Sequence, residues 1–148
     1  LGAFGGYVAS NRKAIDLAIN TSRPFIYTSA LPNFMVKIAL DKFSSDREQK
    51  RAKLWKNIKL FRKGLESLGY AIESQSQIIP IIIGDEKKTL DFGKYLFDNG
   101  VFAQPIRYPT VDLGSARIRI SVTAWLTEDI INKSIDVFEK AGKRFKIF

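Results

Sequence analysis

Between residues 54 and 68 the apolar side chains Leu54, Trp55, Ile58, Phe61, Leu65 and Leu68 recur at helical spacing, and most positions between them are charged. That pattern predicts an amphipathic helix. Ser44-Ser45-Asp46 supplies an N-cap signal ahead of it, and Gly69 stands where a glycine ends a helix, so the helix is expected to run from residue 46 to about Leu68.

Downstream the pattern changes period. Ile78-Ile79-Pro80-Ile81-Ile82-Ile83 is continuous and β-branched, which predicts a strand buried on both faces, with Pro80 near its start or at an edge. Glu86 to Asn99 reads as a helix closed by Gly100, and Val101 to Ile106 as a second strand. In the third strand Ala116, Ile118, Ile120 and Val122 alternate with Arg117, Arg119, Ser121 and Thr123, giving one apolar and one polar face. Thr127-Glu128-Asp129 caps a last helix to about Lys146, whose basic end suits the helix dipole. The order helix, strand, helix, strand, strand, helix describes an α+β layer with helices against one sheet.

Residues 1–45 read differently. A glycine-rich, partly aromatic stretch over residues 1–8 precedes a short helix capped by Ser10 or Asn11 and running to about Asn20. Arg23-Pro24 marks a break. Phe25-Ile26-Tyr27-Thr28 is expected to be extended, and Ser29 to Asn33 a loop leading into a helix near Phe34, with Met35, Ile38 and Ala39 on one side. These signals are too few to build a core, so residues 1–45 are expected to be the remnant of a larger domain and residues 46–148 a small α+β domain.

Composition narrows the chemistry. Of 148 residues none is cysteine or histidine, which excludes disulfides, thiolate nucleophiles, Cys or His metal sites and Ser-His-Asp arrangements carried on this chain. The absence of cysteine fits a reducing compartment, here the cytoplasm. No apolar run approaches a membrane span, and the opening residues do not resemble a signal peptide. The net charge of +9 is concentrated in the helix after residue 46. With no aromatic platform interleaved, that charge reads as a solvated face and not as a nucleic-acid surface.

Arg117 and Arg119 lie two apart on one strand and therefore share a face. A guanidinium held on a rigid strand suits bidentate recognition of a carboxylate. Two arginines facing water on an exposed sheet would have the same periodicity, which does not choose between the readings.

The wider context resembles a known family. The run Tyr108-Pro109-Thr110-Val111-Asp112-Leu113-Gly114-Ser115-Ala116-Arg117-Ile118-Arg119, followed by Thr123-Ala124, is similar to the small-domain signature of the α-oxoamine synthases, with Asp112 where proline is usual. Leu1-Gly2-Ala3-Phe4-Gly5-Gly6-Tyr7 resembles the stretch that follows that family's Schiff-base lysine, and Arg23 to Pro32 resembles the segment that reaches across its homodimer.

The resemblance implies a fold type I, pyridoxal-phosphate (PLP) dependent transferase, α/β overall, with the small domain at its C-terminal end. It implies that Arg119 binds the carboxylate of the amino-acid substrate and that Thr110 lines the substrate pocket. Ser29, or in second place Thr28, would hydrogen-bond the PLP phosphate of the other subunit, although either could instead be a local helix cap. The implied substrates are an amino acid, alanine first, and an acyl thioester on CoA or acyl carrier protein, with no metal, membrane or nucleic acid. The lysine would fall two residues before Leu1, so no catalytic residue is expected on this chain, which by itself is expected to be inactive. The competing expectation is a free-standing α+β binding module with an acidic partner.

Overall fold

The computed structural model describes residues 3–44 and 47–148, so the capping signal placed on Ser45 and Asp46, like the start of the opening motif at Leu1 and Gly2, lies outside the described residues. The chain divides into two compact units, Leu1–Arg47 and Glu48–Phe148.

The first unit is helical. Helix α1, Arg12–Thr21, begins at Asn11, whose side-chain oxygen accepts a hydrogen bond from the Ala14 amide at 3.0 Å. The break at Arg23-Pro24 is real but is not followed by extended chain: Arg23–Ile26 forms a short helix, α2, with the proline in its first turn. Proline costs little there, because the N–H it lacks would have no acceptor within the helix. The amides of Phe25 and Ile26 both bond the Ser22 carbonyl at 3.0 Å, which closes the turn. Helix α3, Asn33–Ser44, leaves Met35 and Ala39 half-buried as its spacing predicts, whereas Ile38 is exposed.

The second unit runs α4 (Arg47–Ser67), β1 (Ile78–Gly84), α5 (Glu86–Asp98), β2 (Gln104–Ile106), β3 (Ala116–Ser121) and α6 (Glu128–Arg144). The strands form one antiparallel sheet in the order β1-β3-β2. Its inner face carries Ile79 and Ile81 of β1 and Ile118 and Ile120 of β3. These join Ile58, Phe61 and Leu65 of α4, Phe92 and Leu96 of α5, and Ile131 and Phe138 of α6 in one core. Phe138 lies within an aromatic cluster, its ring centroid 5.9 Å from Phe61, 6.1 Å from Tyr70 and 6.2 Å from Phe92. The Tyr70 hydroxyl donates to the Phe138 carbonyl at 2.7 Å, and burial pushes its pKa well above the ordinary value of 10.0.

Three sequence expectations change here. The isoleucine run is not buried on both faces. Strand β1 is an edge of a sheet whose core lies on one side, so Ile79 and Ile81 are buried while Ile78 and Ile82 are 39% and 59% exposed. The second strand is shorter than expected, because Gly100 turns the chain with φ 83° and the Val101 amide is spent on the Leu96 carbonyl at 2.9 Å. Within α4, Trp55 fits the apolar period yet is 41% exposed, and Asn57, which the period did not select, is buried. Its carboxamide donates to the carbonyls of Thr123 and Leu126, both at 2.9 Å, and so ties α4 to the segment after β3.

Candidate functional site

The face of the sheet opposite the core carries the candidate chemistry of the second unit. Residues paired across an antiparallel ladder share a face. The register therefore sets Ile78, Pro80 and Ile82 of β1 beside Ser121, Arg119 and Arg117 of β3, with Gln104 and Ile106 of β2 on the other side. Arg119 stands at the centre of this array, opposite Pro80 on one neighbour and Gln104 on the other.

The two arginines that periodicity could not separate differ in their commitments. Arg117 is half-buried, and its Nε donates to the Ser115 carbonyl at 3.0 Å. Arg119 is exposed and makes no ion pair or side-chain hydrogen bond among the described residues. A guanidinium presents five N–H donors and no acceptor, so Arg119 is left with its full donor fork toward solvent. The central strand holds its backbone from both sides, which is the rigid mounting that oriented carboxylate recognition needs.

Thr110 is exposed in the connection from β2 to β3, just after the cis Tyr108-Pro109 bond, and its amide bonds the Arg107 carbonyl at 3.0 Å. The end of that connection is fitted closely to β1. At Gly84, where the β1 to β3 register shifts, φ is 88° and a Cβ would stand 3.3 Å from the Gly114 carbonyl oxygen. A side chain at position 84 would thus strain the backbone and press on the loop that leads into Arg117 and Arg119.

Ser29 and Thr28 belong to the first unit. Thr28 Oγ1 accepts from the Ala30 amide at 3.3 Å, with Ala30 at φ 67°, so this hydroxyl is held in a tight local turn and keeps its own proton free to donate. Ser29 is exposed beside it. Two adjacent hydroxyl donors suit a phosphate oxygen, and in that respect these residues fit PLP. The same unit has an apolar hollow of about 650 Å³ lined by residues that include Phe4, Tyr7, Leu31, Met35 and Phe43. The aromatic and glycine residues at 4–7 were visible in the sequence, but no periodicity linked them to α3. Among the described residues no group of acidic side chains could hold a metal ion, and no helix is long and apolar enough to cross a membrane.

The family profile for aminotransferases of class I and II matches residues 1–138, and the chain belongs to that family. An 8-amino-7-oxononanoate synthase of Treponema denticola is 43% identical over 99% of this chain, which covers 38% of that enzyme. A Thermus thermophilus protein, named for both 8-amino-7-oxononanoate synthase and 2-amino-3-ketobutyrate coenzyme A ligase, is 38% identical over 97% of the chain and 37% of its own length. The structure of a serine palmitoyltransferase from S. paucimobilis with bound PLP and myriocin superposes with a TM-score of 0.88 at 26% identity, over 99% of this chain and 38% of that one. The expected fold, that of PLP-dependent transferases, is the observed one. The chain spans about 38% of the length of the curated relatives it matches.

Proposed function

We propose that this chain is the C-terminal, substrate-recognising part of a PLP-dependent C-acyltransferase of the α-oxoamine synthase type. The enzyme would condense L-alanine with a pimeloyl thioester of CoA or acyl carrier protein, with decarboxylation, to give the 8-amino-7-oxononanoate of biotin biosynthesis. The observation that carries this reading is the uncommitted Arg119 fork on the central strand, in a chain whose relatives bear that enzyme's name.

Arg119 binds the alanine carboxylate through paired N–H donors and so fixes the orientation of the substrate. Thr110 offers a hydroxyl to the pocket wall. Ser29, or in second place Thr28, donates to the cofactor phosphate of a second subunit, so that the active enzyme is a homodimer; its place in the cell is the cytoplasm. When bound, PLP supplies an electron-withdrawing ring that stabilises negative charge at the amino acid's α-carbon. The lysine that holds it would precede residue 1, in keeping with a chain that covers little more than a third of its relatives.

A second reading, glycine C-acetyltransferase, is favoured by the Thermus thermophilus relative, which is named for both reactions. Both readings use Arg119 in the same way and differ in amino acid and acyl donor. Arg119→Ala in the enzyme that carries this chain is expected to raise the KM for the amino acid about tenfold or more, because a charge-assisted contact is lost. The KM for the acyl thioester should barely move. An unchanged amino-acid KM would remove Arg119 from the site. Turnover of glycine with acetyl-CoA in preference to alanine with pimeloyl-CoA would select the second reading.

A further inference from the structure

We propose that Gln104 is a second ligand of the substrate carboxylate, acting beside Arg119; this rests on the reading of Arg119 given above. The ladder sets Gln104 directly opposite Arg119, so both side chains leave the same face of the sheet. Across an antiparallel pair the Cβ atoms of such partners are about 4.5–5.5 Å apart, within reach of one carboxylate for side chains of this length. Both residues are exposed, and neither side chain has a hydrogen-bond or ion-pair partner among the described residues.

The remaining neighbours of Arg119 on this face offer less. Pro80, opposite on β1, has no donor, and Arg117 is bonded to the Ser115 carbonyl. Ile78, Ile82 and Ile106 are apolar, and Ser121, an exposed hydroxyl two residues along β3, stands opposite Ile78 and not directly across from Arg119. Gln104 is thus the one carboxamide placed next to the free guanidinium. The chemistry is complementary: the arginine fork takes two carboxylate oxygens in its plane, and a carboxylate has lone pairs left over for a further N–H donor. The carboxamide can supply that donor, while its oxygen can accept from a guanidinium N–H that the substrate leaves unused.

The test is calorimetric binding of L-alanine and of alaninamide, whose carboxylate is replaced by a neutral amide, to the PLP-loaded enzyme that carries this chain. Gln104→Ala should weaken alanine binding about tenfold, the effect of one hydrogen bond to a charged group, and leave alaninamide unchanged. Gln104→Glu should weaken alanine further, because its carboxylate repels the substrate and competes for Arg119. Gln104→Met, which keeps length without donors, should behave like the alanine variant and melt like the parent. If the Gln104 variants keep the parent's preference for alanine over alaninamide while Arg119→Ala abolishes it, the Gln104 proposal is overturned and the Arg119 reading stands. If Arg119→Ala also keeps that preference, the carboxylate reading itself fails.

Discussion

Residues 3–43 and residues 48–148 draw on the same amino acids and both form helices, yet they bury their apolar side chains very differently. In the second unit Leu65, Ile79, Phe92, Leu96, Ile118, Ile131 and Phe138 are wholly enclosed. In the first unit no described residue is buried, and Phe4, Tyr7, Phe25, Tyr27, Phe34 and Phe43 all stand largely open. Amphipathic spacing makes a helix able to bury a face, but burial needs an opposing surface. Unit two contains one, a sheet whose β-branched inner face meets three helices. The described residues of unit one form helices and no sheet, so their apolar side chains contribute little of the roughly 1.5–3 kcal/mol that full burial of each can give.

The sharpest way to break this contrast is to cut matching side chains from the two units. Phe138→Ala removes the ring shared by Phe61, Tyr70 and Phe92 and should cost about 3–5 kcal/mol in denaturant unfolding of the chain. A loss under about 1 kcal/mol would mean that the second unit has no cooperative core. Asn57→Ala strands the Thr123 and Leu126 carbonyls and should cost about 1–3 kcal/mol. Amide exchange should accelerate first in the segment between β3 and α6; protection unchanged there would remove Asn57 as the tie.

Tyr70→Phe is expected to cost about 1 kcal/mol near neutral pH, the net worth of one hydrogen bond. Its diagnostic effect lies at alkaline pH. Up to the ordinary value of 10.0 the folded and unfolded chains both hold the phenol proton, and the stabilisation is fully present. Above it the unfolded chain releases the proton while the folded chain keeps it, so stability falls as pH rises toward the higher folded pKa. The parent should lose stability faster than Tyr70→Phe beyond about pH 10; parallel curves would contradict the buried phenol. The smallest effect is expected in the first unit, where Phe25→Ala, at a residue 58% exposed, should stay within about 0.5 kcal/mol. A larger loss would show that residues 3–43 are packed after all.

Much of the second unit was legible because period and punctuation agreed. Thr127 caps α6 as its position predicted, its hydroxyl accepting from Ile130 N at 3.3 Å, while α5 is capped by Asp85, just ahead of the expected helix start, whose carboxylate accepts from Lys88 N at 2.6 Å. Gly69 and Gly100 take positive φ just past helix ends, as their positions predicted. The failures have one physical source. An unbroken isoleucine run carries no mark of which face will meet the helices, and a proline in a first helical turn looks, in sequence, like one that ends a helix. Asn57 was missed because its value lies in two carbonyls more than sixty residues away.

The same division holds for the candidate site. The sequence by itself determined that Arg117 and Arg119 share a polar face, because alternation along a strand is a local property, and that Thr110 and Ser29 lie in connections; Thr28, expected in extended chain, lies in the connection after α2. Only the tertiary structure decided which arginine is free, since Arg117 is taken by a carbonyl two residues away while Arg119 is left open between Pro80 and Gln104. Strand pairing decided what flanks the free one. It joins residues from three separate stretches of chain, and no spacing within any one of them encodes the register.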